Sequence, residues 1–549
     1  MKCHPAEEAA DFVARGWWSG DTIDGLLRAR VAESGGQPAV ADPPNLAALT
    51  GHSPRRWSWH DLDAQVDSLA AHLLSSGVRA GDIVAVQLPN CAQLVRSLLA
   101  IVRIGAIATP FPTAFREHEL VPMCRQTRAV AFLTAERSGD RSLLEQATRV
   151  RDEVSSVATV IDVFAELPSE SVPVRVADVN DCVTICWTSG TEAAPKAVPR
   201  CHGDWLIMAE GCRWSAQLGP RDVLLSPFPM TNMGGIAGMF LPWLMVGGLF
   251  LPHHPFDLPT FLRQVTEERA TYTVAPPALL TMLLRREDIL STVDIGSLRL
   301  IGSGSAPLTP WLVRTWSERH GIDVVNFFGS NEGIALMSDP SDVPDPDHRA
   351  SYFPHYGSET QWRSPIASRV SVRLVDARTD AVITTAGRAG ELRLAGPTVF
   401  GGYFTAPDAP LDRSAFDDDG YFRTGDVFEI AGERFLRYVD RARDLIIRGG
   451  VNISPAEIEG LLAAHPAVAE VSVIGVPDDV LGERVCAVVV AKSGPPTLAE
   501  LVDFLREKRV ASYKLPERLQ LVQALPRNPV GKVLKRELRE RVGALVSQG

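Results

Sequence analysis

The chain has 549 residues, 45% of them hydrophobic and 22% charged, a composition typical of globular proteins. Its length predicts a few domains rather than one. The net charge of −11, without a basic run, argues against a nucleic-acid partner and against a lipid-binding basic helix, since phosphate contacts depend on clustered Lys and Arg.

The cysteines and the hydropathy of the N-terminus argue against disulfides, a zinc site and a secretory signal. No C-x2-C pair occurs, and Cys182 and Cys186 lie on an apolar run, so we expect buried, reduced cysteines. A zinc site using Cys201 and His202 is disfavoured, because adjacent residues rarely ligate one metal. Residues 1–10 contain no apolar run, which argues against a secretory signal.

The most hydrophobic stretch covers residues 236–252. It is too short for a confident membrane span and is interrupted by Pro242, Gly247 and Gly248, so it predicts a buried helix and turn. We therefore expect a soluble, cytoplasmic protein without a membrane partner.

In chain order, apolar β-branched runs alternate with helical stretches. Residues 83–88 predict a buried strand followed by a Pro-Asn turn and a helix. Residues 183–187 predict a strand that runs directly into a Gly-containing loop, and residues 298–301 predict another that ends in Gly-Ser-Gly. This pattern is typical of α/β layers with sites at the carboxyl ends of the strands.

The sequence pattern changes near residue 440. The tail has predicted strands and helices of its own, at residues 471–474, 485–490, 456–465 and 498–508. A short charged junction precedes it. We therefore predict an N-terminal domain at residues 1–440, a hinge at 441–444 and a C-terminal domain at 445–549.

The loop after the second strand, residues 188–197, reads T-S-G-T-E-A-A-P-K-A. It resembles the phosphate loop of acyl- and aryl-adenylate-forming enzymes, whose consensus is T-S-G-T-T-G-x-P-K-G. Glu192 stands where the consensus has Thr, and Ala193 and Ala197 stand where it has Gly. The resemblance assigns phosphate binding to five of the residues that keep the consensus, which are Thr188, Ser189, Gly190, Thr191 and Lys196.

Four further segments match the same family in the same order. Residues 328–332 (F-G-S-N-E) are similar to Y-G-x-T-E, and residues 423–426 match R-T-G-D. Residues 440–459 match the hinge motif, and residues 525–533 (L-P-R-N-P-V-G-K-V) match the C-terminal lysine motif. The chain is thus identified as a member of the adenylate-forming superfamily, which contains acyl-CoA ligases, aryl-acid ligases, peptide-synthetase adenylation domains and luciferases.

The resemblance implies an α/β fold with a large, multi-layered N-terminal adenylate-forming domain and a small, mobile α+β C-terminal domain. It also implies a two-step reaction. A carboxylate attacks the α-phosphate of ATP to give an acyl-adenylate and pyrophosphate, and the thiol of CoA then displaces AMP. The implied ligands are a carboxylic acid or its acyl-adenylate, ATP or acyl-AMP, coenzyme A and Mg²⁺.

Each motif residue acquires a role from this resemblance. Glu332 would hold Mg²⁺, a hard cation that prefers carboxylate and phosphate oxygens. Asp426, whose carboxylate presents only acceptors, would bind both ribose hydroxyls, with Arg441 reaching the same ribose. Phe328 would stack on the purine, and Asn331 replaces the usual Thr. The other adenine-side residues are Gly302, Ser303, Gly304, Ala306, Pro307 and Gly329.

The C-terminal part supplies residues to both steps. Lys532 would bridge the carboxylate and the α-phosphate, offsetting the charge that develops during adenylation. Arg443 falls at the hinge position about which the small domain swings. Gly449 and Gly450 would then let the pantetheine of CoA pass close to the backbone.

The departures in the phosphate loop suggest a selective loss of activity. Glu192 places a negative charge where a hydroxyl donates to ATP phosphates, and Ala193 replaces a glycine in the anion-binding nest. An acyl-adenylate lacks the β- and γ-phosphates. We hypothesise that the protein chiefly catalyses thioesterification of an acyl-adenylate made by a partner ligase, in a secondary-metabolite or degradation pathway. The alternative is a mobile loop that tolerates drift.

Residues 229–235 (P-M-T-N-M-G-G) align with the family's acyl-pocket stretch, commonly P-L-F-H-x-G-G. Thr231 and Asn232 replace an aromatic residue and a His, which predicts a roomier pocket with a hydrogen-bonding group. The pocket residues assigned in this way are Met230, Thr231, Asn232, Met233 and Gly234. A bulky, oxygenated acid fits better than acetate, a linear fatty acid or a simple benzoate. A methionine cluster is, however, more often core.

Three other functions stay open from the sequence. A stand-alone adenylating enzyme would load a carrier protein in trans. A luciferase-type oxidase would share the fold. A non-catalytic adenylate-binding protein is a further alternative, although the retention of Glu332, Asp426 and Lys532 argues against it.

Overall fold

The computed structural model describes the chain apart from a few short ranges, namely residues 169, 189–194, 377, 442–443, 449–450, 479, 493, 509, 528–532 and 547–549, and the side chains of 334–335, 451–452 and 543–546. The chain divides into two compact units. The first comprises Met1–Thr188, Pro195–Ser371 and Leu394–Phe422, and the second includes Val372–Arg393 and Arg423–Gly549.

The first unit is built from helices and parallel strands in alternation. Its helices are α1 Ala6–Ala14, α2 Ile23–Ser34, α3 Leu46–Thr50, α4 Trp59–Ser75, α5 Ala92–Arg103, α6 Glu117–Thr127, α7 Leu143–Glu153, α8 His202–Ser215, α9 Met233–Gly235, α10 Leu241–Val246, α11 Leu258–Glu267, α12 Pro277–Arg285, α13 Glu287–Leu290, α14 Pro310–His320 and α15 Pro346–Ser351. Its strands are β1 Pro38–Ala41, β2 Arg56–Ser58, β3 Ile83–Gln87, β4 Ile107–Phe111, β5 Ala131–Thr134, β6 Arg137–Ser138, β7 Arg141–Ser142, β8 Thr159–Asp162, β9 Cys182–Trp187, β10 Ala197–Cys201, β11 Val223–Ser226, β12 Leu249–Pro252, β13 Tyr272–Val274, β14 Leu300–Gly304, β15 Asp323–Ser330, β16 Gly333–Ser338 and β17 Tyr352–Pro354.

Two sheets organise this unit. One has the strand order β10-β9-β4-β3-β5-β8, parallel except for β10, and the other has the order β16-β15-β14-β13-β11-β12-β1-β2, parallel except at its two ends. The largest apolar core contains side chains from both sheets and from α4, α5, α8 and α10. Parallel strands buried on both faces read as continuous apolar runs, which is why the sequence revealed them.

The predicted α/β elements of this unit are confirmed. The strands expected at 83–88 and 183–187 are β3 and β9, and every residue of both is buried. The stretch 236–252 forms a π-helical turn at Ile236–Phe240, then α10, a turn at Gly247 (φ 79°) and β12. Among the described residues, no helix combines the length and apolar character needed to cross a membrane.

The second unit contains two sheets. Its strands are β18 Ser371–Val375, β19 Val382–Ile383, β20 Ala389–Ala395, β21 Phe422–Ala431, β22 Phe435–Arg441, β23 Ile446–Arg448, β24 Val451–Ile453, β25 Val468–Asp478, β26 Gly482–Ala491 and β27 Arg518–Leu521, and its helices are α16 Pro455–Leu462, α17 Leu498–Glu507 and α18 Lys535–Val546. One sheet runs β22-β21-β20-β18-β19, and the other runs β24-β23-β26-β25 with β27 beside β26. The elements expected in the tail are β25, β26, α16 and α17. The hinge at 441–444 stays a prediction.

Candidate active site

The stem of the predicted phosphate loop is held by the end of β9 and the start of β10. The backbone N–H of Thr188 donates to the carbonyl of Lys196 at 3.0 Å, and the N–H of Lys196 donates to Oγ1 of Thr188 at 3.0 Å. The two predicted residues at the ends of the loop are therefore fixed against each other. The predicted phosphate-binding residues between them are Ser189, Gly190 and Thr191. These residues, and the departures Glu192 and Ala193, lie outside the described residues.

A tyrosine joins the lysine of this stem to the predicted magnesium ligand. Lys196 Nζ lies 4.4 Å from the centroid of the Tyr403 ring, and the Tyr403 hydroxyl donates to Oε1 of Glu332 at 3.0 Å. Burial and the nearby Glu332 charge both raise the pKa of Tyr403, so the phenol stays protonated and remains a donor. This arrangement fixes the Glu332 carboxylate.

Tyr403 was missed by the sequence analysis because none of the five motifs contains it. Its position depends on a backbone pairing that joins distant parts of the chain. The N–H of Phe404 donates to the carbonyl of Ala197 at 2.9 Å, next to Lys196. The sequence carries no local signal for a contact of this kind.

Asn331 connects the loop stem to the acyl-pocket stretch. Its Nδ2 donates to the carbonyl of Trp187, the last residue of β9, at 3.1 Å. Its Oδ1 accepts from the backbone N–H of Met233, the first residue of α9, at 2.9 Å. The amide that replaces the usual Thr is therefore a structural bridge between the two segments.

Arg200 holds the backbone carbonyl of Asn331. Its Nε and Nη2 donate to the Asn331 carbonyl at 2.9 and 2.7 Å, and its Nη1 donates to the carbonyl of Thr398 at 3.1 Å. The side chain is fully buried and its Nη1 lies 3.6 Å from Oδ2 of Asp204. A planar guanidinium with several donors suits this task better than an ammonium group.

The stretch predicted to line the acyl pocket divides into buried core residues and partly exposed residues. Met230 and Met239 are fully buried in the main core, whereas Asn232 and Met233 are half-buried. Asn232 Oδ1 accepts from the N–H of Gly235 at 3.2 Å, which caps α9. Thr231 is buried beside it, and Gly234 lies under the Phe228 ring.

The residues predicted for the adenine side lie where β14 and β15 end. The predicted Gly-Ser-Gly segment belongs to β14 itself, and a Cβ at Gly304 would lie 2.5 Å from the carbonyl oxygen of Phe327. The loop begins at Ser305, where φ is 68°. Phe328 is half-buried and packs edge-on against Phe353, with ring centroids 6.1 Å apart. Ala306, Pro307 and Gly329 are exposed at this end of the strands.

The second unit brings the two predicted ribose ligands together. Asp426 and Arg441 are direct cross-strand partners on β21 and β22, and Oδ1 of Asp426 lies 3.1 Å from Nε of Arg441. The N–H of Asp426 donates to Oγ1 of Thr424 at 3.0 Å, and Thr424 in turn donates to the carbonyl of Leu392 at 2.7 Å. The Arg441 contact orients the buried carboxylate, and Thr424 fixes the backbone beside it.

The remaining predicted residues of the C-terminal part lie outside the described residues. They are Lys532, Arg443, Gly449 and Gly450. Their roles stay predictions.

Known proteins resemble the whole chain. Residues 30–404 match the AMP-binding enzyme family, and residues 457–532 match the AMP-binding enzyme C-terminal domain. A 2-hydroxy-7-methoxy-5-methyl-1-naphthoate–CoA ligase of Streptomyces carzinostaticus is 30% identical, covering 98% of this chain and 97% of that protein. A 2,3-dihydroxybenzoate-AMP ligase of Bacillus subtilis is 27% identical, covering 99% and 98%. ATP-bound MatB from Rhodopseudomonas palustris superposes with a TM-score of 0.81 at 26% identity, covering 96% of this chain and all of that one.

Proposed function

Because the chain belongs to the AMP-binding enzyme family, whose members here include acyl-CoA ligases and aryl-AMP ligases, we propose that it forms acyl-CoA thioesters from a bulky carboxylic acid. We further propose that its principal step is the second one, from acyl-adenylate to thioester. This proposal is supported by which motif residues keep the family consensus and which depart from it. Asp426, Arg441 and the small residues ending β14 suit an adenylate, whereas the departures fall in the loop for the outer phosphates.

The altered loop disfavours ATP in particular. Glu192 introduces a like charge beside the phosphates, which at about 4 Å costs roughly 1 to 4 kcal/mol. Ala193 adds about 1 kcal/mol if the loop requires positive φ there. Both penalties fall on the β- and γ-phosphates, which are absent from the acyl-adenylate. Adenylation is therefore weakened while the binding of the adenylate is spared.

The carboxylate predicted to hold Mg²⁺, that of Glu332, suits this ion. Glu332 presents a hard oxygen donor whose orientation is set by Tyr403, and phosphate oxygens complete such sites. Bound there, the ion would neutralise phosphate charge. In this chain the role of Tyr403 is to position the Glu332 carboxylate, and the role of Lys196 is to offset phosphate charge at the loop stem.

In the proposed thioesterification the sulfur of CoA bonds to the acyl carbon of the adenylate. The bond from that carbon to the phosphate oxygen breaks, AMP leaves with the electron pair, and the thiol proton passes to solvent. Asp426 and Arg441 hold the departing nucleotide by its ribose. Gly449 and Gly450 give the pantetheine its passage, Arg443 is the pivot between domains 1–440 and 445–549, and Lys532 serves any adenylation that remains.

The acid is proposed to be aromatic and oxygenated. A relative at 30% identity is named for a substituted naphthoate, which is larger than a single ring. In this chain small polar residues, Thr231 and Asn232, stand where the family commonly has an aromatic residue and a His. Asn232 is engaged as a helix cap through Oδ1, so its amide group is held in a fixed orientation beside the pocket.

A second candidate is loading of a carrier protein in trans. It is supported by the relative named as an AMP ligase, which matches nearly the whole chain at 27% identity. Supplying the acyl-adenylate with either CoA or carrier-protein thiols distinguishes the two acceptors. A partner ligase that makes the adenylate follows from the main proposal.

Reverting the loop tests the selective loss. The double change Glu192→Thr with Ala193→Gly is expected to raise ATP-dependent acyl-CoA formation about tenfold or more, because it removes the like charge and restores the glycine. The rate from a supplied acyl-adenylate should change by less than about twofold. Steady-state assays with aromatic acids, ATP and CoA measure both.

Glu145→Gln is the matched control, since it removes one exposed negative charge from α7, far along the chain from the loop. It should leave both rates unchanged. Suppose that the reverted variant keeps its activity with the acyl-adenylate and gains none with ATP. That result would show that Glu192 and Ala193 do not cause the weak adenylation.

A further inference from the structure

A buried imidazole from the N-terminal segment contacts the acid beside Arg200. His4 precedes α1, and its Nε2 lies 2.8 Å from Oδ1 of Asp204 on α8, while its Nδ1 lies 3.4 Å from Oε2 of Glu8. The other oxygen of Asp204 accepts from the N–H of Cys201 at 3.4 Å. Burial alone lowers the pKa of His4, but the charge and hydrogen bond of Asp204 outweigh it and raise that pKa to about 10. The imidazole is therefore charged at neutral pH and donates to a carboxylate from each ring nitrogen.

Arg200 is shared between Asp204 and two backbone carbonyls. Its Nε and Nη2 donate to the carbonyl of Asn331 at 2.9 and 2.7 Å. Its Nη1 donates to the carbonyl of Thr398 at 3.1 Å and lies 3.6 Å from Oδ2 of Asp204, which is longer than a hydrogen bond. A buried carboxylate without another charged partner would draw the guanidinium closer, since two opposite charges attract more strongly than a charge and a neutral carbonyl. With His4 on Asp204, the guanidinium stays on the carbonyls.

The N-terminal segment also packs beside a residue that holds the backbone of Glu332. The carbonyl of Cys3 lies against Gly401, where an added Cβ would be 1.8 Å from the carbonyl oxygen. The residue before it, Phe400, donates its N–H to the carbonyl of Glu332 at 2.9 Å. The segment therefore borders residues 331–332 through backbone packing as well as through the Asp204 contact.

We propose that His4 is a positioning residue for the acyl-adenylate site and acts through Asp204 and Arg200, an assignment that rests on the proposed function. By pairing with Asp204, His4 leaves Arg200 on the carbonyl of Asn331. Removal of the imidazole would let Arg200 move toward Asp204 and release that carbonyl. The three side chains were not identified from the sequence because they lie outside the family motifs.

The effect reaches the substrate through Asn331. Its amide joins the carbonyl of Trp187, at the stem of the predicted phosphate loop, to the N–H of Met233, in the predicted acyl pocket. A shift of its backbone would disturb both segments together with the neighbouring Glu332. These parts are assigned to the acyl-adenylate and not to CoA. The KM for the adenylate should therefore change while the KM for CoA does not.

Steady-state kinetics of the full chain with synthetic acyl-adenylates and CoA test the proposal. His4→Phe keeps an aromatic ring against Phe12 and Trp18 but removes both N–H donors. The backbone of residue 4 keeps its two hydrogen bonds to Asn180. We expect the KM for the adenylate to rise about fivefold or more and the KM for CoA to stay within about twofold. A merely structural role would lower the active fraction, and hence kcat, with both KM values unchanged.

His320→Phe is the matched control. His320 is also half-buried against a tryptophan, with its ring centroid 5.2 Å from that of Trp316, but it lies at the end of α14. Both KM values should stay within about twofold of the wild type. If His4→Phe folds poorly, His4→Gln takes its place, because it keeps a donor and removes the charge. Its KM for the adenylate should rise in the same direction by about threefold or more.

A second substitution separates this mechanism from a loss of packing. When His4→Phe is combined with Asp204→Asn, the amide no longer attracts Arg200. The KM for the adenylate should then return to within about threefold of the wild type, because the two changes are coupled. If His4 contributed only packing, a second buried change would lower the activity further.

The probes are adenylates of hydroxylated benzoic and naphthoic acids. Failure of the wild type to convert any of them would count against the proposed function. Crystal structures of the wild type and the variant would then decide the role of His4. We expect Arg200 Nη1 within hydrogen-bonding distance of Asp204 in the variant, with its bonds to the Asn331 carbonyl lost. The proposal is overturned if the guanidinium stays on that carbonyl, or if the KM for the adenylate is unchanged in the His4 variants.

Discussion

Replacing Asp426 by Asn is expected to lower thioester formation from a supplied acyl-adenylate by about 10²-fold or more. A carboxylate accepts from two ribose hydroxyls, and a hydrogen bond to a charged group contributes roughly 1.5 kcal/mol or more. The loss of two such bonds corresponds to about two powers of ten in rate. The amide keeps the size of the side chain but presents two N–H groups toward hydroxyls and toward Arg441, 3.1 Å away.

Initial rates over a range of adenylate concentrations measure this effect. Glu429→Gln is the control, because Glu429 lies on the same strand and pairs across it with exposed Arg437. Such a pair contributes little, so that variant should stay within about twofold of the wild type. Unchanged activity of Asp426→Asn, with the same melting temperature, would remove Asp426 from the ribose site.

Replacing Arg200 by Met is expected to lower the free energy of unfolding of the first unit by about 3 to 5 kcal/mol. The buried guanidinium donates to the carbonyls of Asn331 and Thr398 and lies beside Asp204. Methionine fills much of the volume but leaves those acceptors without a donor. Burial by itself lowers the pKa of His4, yet the Asp204 charge outweighs it and raises that pKa to about 10, so Asp204 keeps one charged partner.

Denaturant unfolding followed by tryptophan fluorescence measures the change. The control is Arg286→Met, since Arg286 is exposed and pairs only with nearby Asp288 among the described contacts. It should cost less than about 0.5 kcal/mol. A loss below about 1 kcal/mol for Arg200→Met would mean that water replaces the missing donors and that Arg200 does not hold Asn331.

Much of the secondary structure could be predicted from local sequence patterns. The strands β3 and β9 and the tail elements β25, β26, α16 and α17 were predicted because their apolar periodicity and flanking turns are local properties. The order of strands within a sheet was not, since it depends on long-range packing. The strand β2, for example, pairs antiparallel with β1 at one edge of the eight-stranded sheet. No pattern in the nearby sequence predicts this pairing.

The sequence identified the motif residues of the candidate site but not the contacts that connect them. Asp426 and Arg441 were both identified, and their pairing follows from the β21–β22 register. Tyr403 was missed because its position depends on a backbone bridge between its neighbour Phe404 and Ala197. Asn331 was noted only as a departure from a consensus. Its use as a bridge between Trp187 and Met233 becomes visible once the two segments are adjacent in space.

A comparison of two donor sets distinguishes a thioesterifying enzyme from a complete ligase. Acyl-CoA is quantified by mass spectrometry from aromatic acids with ATP and Mg²⁺, and in parallel from the matching synthetic acyl-adenylates without ATP. We expect product from the adenylates and little or none from the free acids, since the proposed effect of Glu192 and Ala193 is confined to the binding of the outer phosphates. Comparable product from both sets would contradict this expectation and show a complete ligase whose loop has drifted without loss of adenylation.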